Sequence, residues 1–142
     1  MQLNLLLTRL YIILNLKKVY LIYIPLAVYW IILFVFTTIP VDTLPKLFDV
    51  QDKLEHFAAY FALSILLFLA FHFQEKIPFL KRNVVLITFS CIMIYGAVDE
   101  LHQMLIPGRM ADIFDWIADA LGGGLGIFST FLFVKSVKPQ IG

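Results

Sequence analysis

The sequence predicts an all-α membrane protein: an antiparallel bundle of four transmembrane helices preceded by an N-terminal interfacial helix. Three observations carry this expectation. First, 61% of the 142 residues are hydrophobic and mean hydropathy is +0.90, beyond what a soluble domain normally carries. Second, four stretches approach the roughly 20 apolar residues that cross a bilayer: Val19 to Ile39, Leu54 to Phe73, Val84 to Ile106 and Ile113 to Val134. Third, their connections are short, so consecutive helices pack antiparallel. Strands are excluded because open strands leave backbone groups unpaired in lipid, and four segments cannot close a barrel.

Residues 1–18 form a separate N-terminal segment, and residues 19–142 a single four-helix domain. The first segment is apolar but interrupted by Asn4, Arg9, Asn15 and the Lys17-Lys18 pair, which reads as an interfacial helix. A cleaved signal peptide fits poorly, because its positive charges would precede the apolar run. Pro25 bends the first span or marks a later start. In the fourth span Ala118, Gly122 and Gly126 make a small-xxx-small ladder, widened by Gly123 and Gly124, that lets helices approach closely. Cys91, the one cysteine, cannot form an intrachain disulfide and reads as a small buried hydrophobe.

A net charge of +1 argues against nucleic acid as a partner, leaving membrane lipids. Arg9, Lys17, Lys18, Lys76, Lys81, Arg82, Lys135 and Lys138 fall on one side of the bundle, and only Lys46, Lys53 and Arg109 on the other. The positive-inside rule places both termini in the cytoplasm. All the acids except Glu75 then gather on the outer side.

Function is expected between Asp99 and Asp119, where five of the ten acidic residues cluster around a Pro-Gly turn. Ionisable groups in spanning segments are costly and mark substrate, ion or proton tasks. The topology brings Asp52, Lys53, Glu55 and His56 level with Asp99, Glu100, His102 and Gln103 and with Asp112, Asp115 and Asp119. Asp52 and His56 are spaced i, i+4, Glu100 and Gln103 i, i+3, and the three later aspartates step by three and four, so each set presents one helix face. His72 reads as an interfacial residue, and His102 turns away from the Glu100 face toward loop or headgroups.

The pattern Asp52-Lys53-x-x-His56, Tyr60, Glu100-x-x-Gln103, Pro107-Gly108-Arg109, Asp112, Asp115 and the glycine run Gly122 to Gly126 resembles the VanZ-like family of small bacterial membrane proteins. The resemblance spans about residues 20 to 134 and departs from the family at Asp119, where members usually carry Asn. It implies a multi-pass protein of the bacterial cytoplasmic membrane with a cell-envelope role, and a link to antibiotic resistance, since the family is named for a teicoplanin-resistance protein. It implies no particular reaction.

Structural roles compete with functional ones. Asp112 and Asp115 suit a helix N-cap and first turn, Asp52 the same, and Lys53 can snorkel. His56, Glu100, Gln103 and Arg109 have no helix-end role that requires them together; an internal salt-bridge network is their structural reading. As a functional set, His56 and Glu100 are the acid/base candidates. Asp52, Lys53, Tyr60, Gln103, Arg109, Asp112, Asp115 and Asp119 are the ligand-binding candidates. Serine and cysteine nucleophiles are not indicated. No cofactor is expected: the carboxylates and histidines suit a divalent metal, but no paired-histidine spacing is present.

Three classes remain. The favoured one binds or modifies a lipid-linked or amphiphilic envelope ligand at the outer leaflet; the others are a structural accessory subunit and a small proton-coupled transporter. The charge asymmetry yields a direct test. A cysteine near Met110 or in the Val41 to Val50 loop should react with an impermeant thiol reagent on intact spheroplasts, and one at Gln74 or Gln140 should not. Protection of both outer probes would reverse the orientation.

Overall fold

The computed structural model describes residues 2–40 and 51–141, with side chains as far as residue 137. The predicted first loop, Val41 to Val50 with Lys46, and the side chain of Lys138 lie outside the described residues. Six α-helices follow in order: α1 (Gln2–Leu16), α2 (Ile24–Thr37), α3 (Gln51–Phe73), α4 (Pro78–Arg82), α5 (Val84–Gln103) and α6 (Ile113–Ile141). Four spans are long and apolar enough to cross a membrane: Val19–Thr37, Gln51–Phe73, Val84–Gln103 and Ile113–Val137. The protein is an all-α, multi-pass membrane protein.

Local chemistry sets the helix ends. A single π-type turn, Val19–Tyr23, runs directly into α2, with Tyr23 and Ile24 both helical, so Pro25 in the first turn of α2 removes one donor from a continuous run of helix. The chain passes from α1 into this turn without a loop, because Lys17 N bonds Ile13 O and Leu21 N bonds Lys17 O, each at 2.9 Å. Helix α3 starts three residues before the apolar run, with Asp52 in its first turn, where a carboxylate suits the free N–H groups. Helix α5 stops at Gln103 instead of Ile106, since the residue before Pro107 is pushed out of the helical region. The chain then turns at Ile106-Pro107-Gly108-Arg109, closed by Arg109 N to Ile106 O at 3.1 Å. Gly108 takes φ 78° there, as the third position of a type II turn demands. Asp112 caps α6 by accepting the Phe114 N–H at 2.8 Å.

Helix α3 occupies the middle of the bundle, with its most extensive contact against α6. These two helices are not sequence neighbours and run parallel: Gly122 lies beside Phe57, and Gly126 beside Phe61 and Ser64. A Cβ at Gly122 would collide with the Phe57 carbonyl oxygen; one at Gly126 would strike Ser64 Oγ and come within 2.5 Å of Phe61 O. Gly123 faces α5 instead, its absent Cβ 2.6 Å from Ile92 Cγ2, whereas Gly124 faces open space. The ladder therefore serves two interfaces. Tyr60, Leu63, Leu67 and Ile92 form the central core, while Leu86, Ile94, Leu121 and Phe128 point outward. Lipid is as apolar as these side chains, so close packing rather than exclusion of water holds the helices together.

The end of the bundle distant from the polar cluster is pinned by two side chains. Lys18 Nζ donates to Phe73 O at 3.0 Å and to Glu75 Oε1 at 2.8 Å, closing the end of α3. His72, in the last turn of α3, is buried, and its Nε2 lies 3.0 Å from the Tyr11 hydroxyl of α1. The intervening apolar sequence hides this pairing, because residues 11 and 72 meet only once α1 packs on the bundle.

The glycine geometry predicts graded effects. Gly122→Leu and Gly126→Leu should each lower thermal stability in detergent by about 1–3 kcal/mol or more, the usual cost of overpacking, while Gly124→Leu stays near the parent. A Gly124→Leu melt as low as that of Gly122→Leu would contradict the assigned helix faces.

Candidate functional site

The start of α3, the end of α5 and the start of α6 meet at one end of the bundle, so the candidate residues separated by more than 60 positions become neighbours. They divide into two connected regions, with His56 at the boundary.

The first is a seam between α3, α5 and α6. His56 Nδ1 lies 2.9 Å from Asp119 Oδ1 and 4.0 Å from Glu100 Oε1. Asp119 is therefore the hydrogen-bond partner of His56, and Glu100 stands just beyond hydrogen-bond distance. Glu100 Oε2 accepts the Asp112 backbone N–H at 2.8 Å, tying the loop to α5. Lys53 Nζ donates to Asp112 Oδ2 at 2.7 Å and Asp115 Oδ1 at 2.9 Å, bridging α3 to the start of α6. In the loop, the Lys53 hydrogen bond holds the Asp112 carboxyl below its ordinary pKa, helped by the Phe114 N–H. Gly96 makes room for the seam, since a Cβ there would sit 2.9 Å from Asp119 Oδ2. His56, Glu100, Asp115 and Asp119 are all buried, and Glu100 Oε1 and Asp119 Oδ2 have no hydrogen-bond partner among the described residues.

The second region is a cavity of about 440 Å³ between α2, α3 and α5. Tyr29, Leu33 and Phe36 of α2 give it an apolar wall, and His56, Asp99 and Arg109 belong to its polar lining. Tyr60 stacks on His56 with ring planes 9° apart and donates to Asp99 Oδ2 at 3.4 Å. Asp52 also lines the cavity, and its carboxylate, His56 and Asp115 come close enough to share an ion, as do His56, Glu100 and Asp119.

Arg109 reaches none of the cluster's acids. Its Nε donates to Ile39 O at 2.9 Å, one terminal nitrogen to Phe36 O at 3.4 Å and the other to Gln103 Oε1 at 3.1 Å. The guanidinium thus bonds the Ile39 carbonyl just past α2 and shares the Phe36 carbonyl with a backbone N–H, while its side chain lines the cavity. His102 is turned toward α2, not toward loop or headgroups: its ring lies 5.1 Å from that of Phe34.

Among the polar lining residues, Thr37 was not foreseen, and Glu55 and Asp99 were placed at this level by the sequence but given no role. Asp99 is buried and accepts from the Tyr60 hydroxyl; Thr37, whose hydroxyl donates to Phe34 O at 2.9 Å, lines the same cavity. The spacing of Asp99 and Gln103, i to i+4, is the available signal for a shared face; the place of Thr37 leaves no trace in sequence.

The seam gathers carboxylate and imidazole groups, the cavity sets an apolar wall beside polar groups, and His56 belongs to both. The arrangement also braces the fold. Lys53→Met leaves buried Asp115 without its cation and should cost about 1–3 kcal/mol, below the ~3–5 kcal/mol of a fully buried pair because Lys53 is 38% exposed. Adding Asp115→Asn should restore part of the loss. Chemical or thermal unfolding in detergent reads both variants, and additive losses would show that the pair does not interact.

No curated protein and no solved structure matches the chain. The family model described as VanZ/LLP1 matches residues 10–134, which takes in three spans whole, most of the fourth, and every residue of the seam and the cavity. On that match the chain belongs to the VanZ/LLP1 family.

Proposed function

We propose that this protein binds the polar head of a lipid-linked or amphiphilic ligand of the bacterial envelope in the cavity between α2, α3 and α5. The observation that carries the reading is the composition of that cavity. Its apolar wall suits a chain or ring system, and its floor supplies the tyrosine, histidine, carboxylate, amide and guanidinium groups that fix a polar head. Helix α2 supports lateral entry from the bilayer, since Ile22 and Thr37 are the only buried residues of its span. Arg109 and Gln103 orient the head; His56, backed by Asp119 with Glu100 nearby, is the group able to move a proton to or from a bound ligand.

The basic residues support an orientation with both termini in the cytoplasm and the cavity opening at the outer leaflet of the cytoplasmic membrane. A ligand held there would alter the response to an envelope-directed glycopeptide such as teicoplanin. A purely structural role is the second reading, favoured by the Lys53 bridge and by Arg109's bonds to backbone.

Three substitutions separate the two. His56→Ala, Glu100→Gln and Arg109→Lys should accumulate and melt close to the parent yet lose the teicoplanin phenotype. Arg109→Lys keeps the charge and removes the planar fork; Glu100→Gln keeps the shape and removes the charge. Asp112→Asn should be mild, because asparagine also caps helices. Normal phenotypes from normally folded Glu100→Gln and Arg109→Lys proteins would defeat the reading. Loss of folded protein in step with phenotype would identify a brace.

A further inference from the structure

We propose that His56, Glu100 and Asp119 bind one divalent transition-metal ion of the Zn²⁺ class in the seam between α3, α5 and α6. The proposal does not depend on what occupies the neighbouring cavity.

Geometry is the first ground. One ligand-type atom from each of the three side chains lies within 4.8 Å of the other two, and each comes from a different helix. All are buried: His56 is 8% exposed, Glu100 6% and Asp119 1%.

The second ground is unmet bonding capacity. Glu100 Oε1 and Asp119 Oδ2 are buried with no hydrogen-bond partner among the described residues, and buried carboxylate oxygens are costly when unsatisfied. Glu100 Oε2 is already fixed by the Asp112 N–H, while Asp119 Oδ1 and His56 Nδ1 are held 2.9 Å apart and would exchange that contact for the ion. Each acid is thus oriented and still has bonding capacity to give, as metal-ligating carboxylates are.

Charge is the third. Lys53 is engaged with Asp112 and Asp115, and Arg109 with Gln103 and backbone carbonyls. Glu100 and Asp119 are left facing one imidazole, which supplies at most one positive charge against two negative ones. A divalent ion balances both carboxylates with His56 as a neutral nitrogen ligand, and any proton on Nδ1 leaves to solvent as the ion binds.

The donor set selects the class. One imidazole nitrogen and two carboxylate oxygens suit Zn²⁺ and its first-row neighbours, whereas Mg²⁺ and Ca²⁺ favour all-oxygen shells. Three protein ligands leave a coordination position open, unlike a closed structural site. The overlapping group of Asp52, His56 and Asp115 is the weaker set, because Asp115 already serves Lys53 and Asp52 is half-exposed.

The test uses the full chain in detergent, stripped with a chelator and titrated with Zn²⁺, Mg²⁺ and Ca²⁺ by calorimetry, with metal content measured by mass spectrometry. One Zn²⁺ should bind per chain and raise the melting temperature. Asp119→Asn and Glu100→Gln should each weaken Zn²⁺ binding by at least tenfold and abolish the thermal shift, while Asp52→Asn binds like the parent. X-ray absorption on the Zn²⁺-loaded parent, which needs no variant to fold, should show one imidazole nitrogen with oxygen ligands. Binding well below one ion per chain, equal affinity in Asp119→Asn and Glu100→Gln, or a shell without a histidine nitrogen would each overturn the proposal. Loss in Asp52→Asn would overturn the ligand assignment, and tighter binding of Mg²⁺ or Ca²⁺ the class.

Discussion

Charge that is buried inside a membrane protein must be compensated within the protein, and this constraint shapes the whole polar end of the bundle. Asp99, Glu100, Asp115 and Asp119 are at most 6% exposed. Stranding one charge typically costs about 3–5 kcal/mol, a large share of the 5–15 kcal/mol that holds a typical fold together. Three polar ties join elements at that end among the described residues. Lys53 joins α3 to α6, the Asp112 N–H joins the loop to α5 through Glu100, and Arg109 joins the same loop to the end of α2.

These ties work only because α3 and α6 approach closely, and small residues make that approach. Gly122 against Phe57 and Gly126 against Phe61 remove the side-chain layer that would separate two helices of ordinary sequence. Asp119 sits one turn before Gly122 and His56 one residue before Phe57, so the contact that packs the helices also sets the 2.9 Å pair between them. Gly96 plays the corresponding part on α5, giving Asp119 Oδ2 the space a Cβ would fill. Packing and site share one set of positions.

Much of this was legible in the sequence and some was not, for physical reasons. Apolar length revealed the four spans, because a bilayer imposes it on each segment independently. The end of α5 shifted by a few residues where a local constraint decided it, at Pro107. The small-xxx-small pattern revealed a close-packing face without its partner: nothing in residues 118–126 says that the partner is the parallel helix α3. Periodicity placed His56, Glu100 and Asp119 at one level, yet it could not tell that Asp119, rather than Glu100, meets His56. Arg109 was expected to meet an acid or a ligand, but its guanidinium bonds backbone carbonyls, and such acceptors carry no sequence signature. Asp99 was placed at the polar level by its position, but its pairing with Tyr60 comes from another helix and has no signature in the sequence around it.

The two regions at the polar end obey different rules, and the difference bears on purpose. A brace closes its own valences, as Lys53 does with Asp112 and Asp115, and gains nothing from leaving space beside them. The seam around His56 does not close: it holds two carboxylate oxygens without partners among the described residues and adjoins a cavity of about 440 Å³. Unsatisfied buried oxygens and open volume both work against stability, so a bundle needing only rigidity has no use for either. Their meeting at one histidine is what a site requires and a scaffold does not.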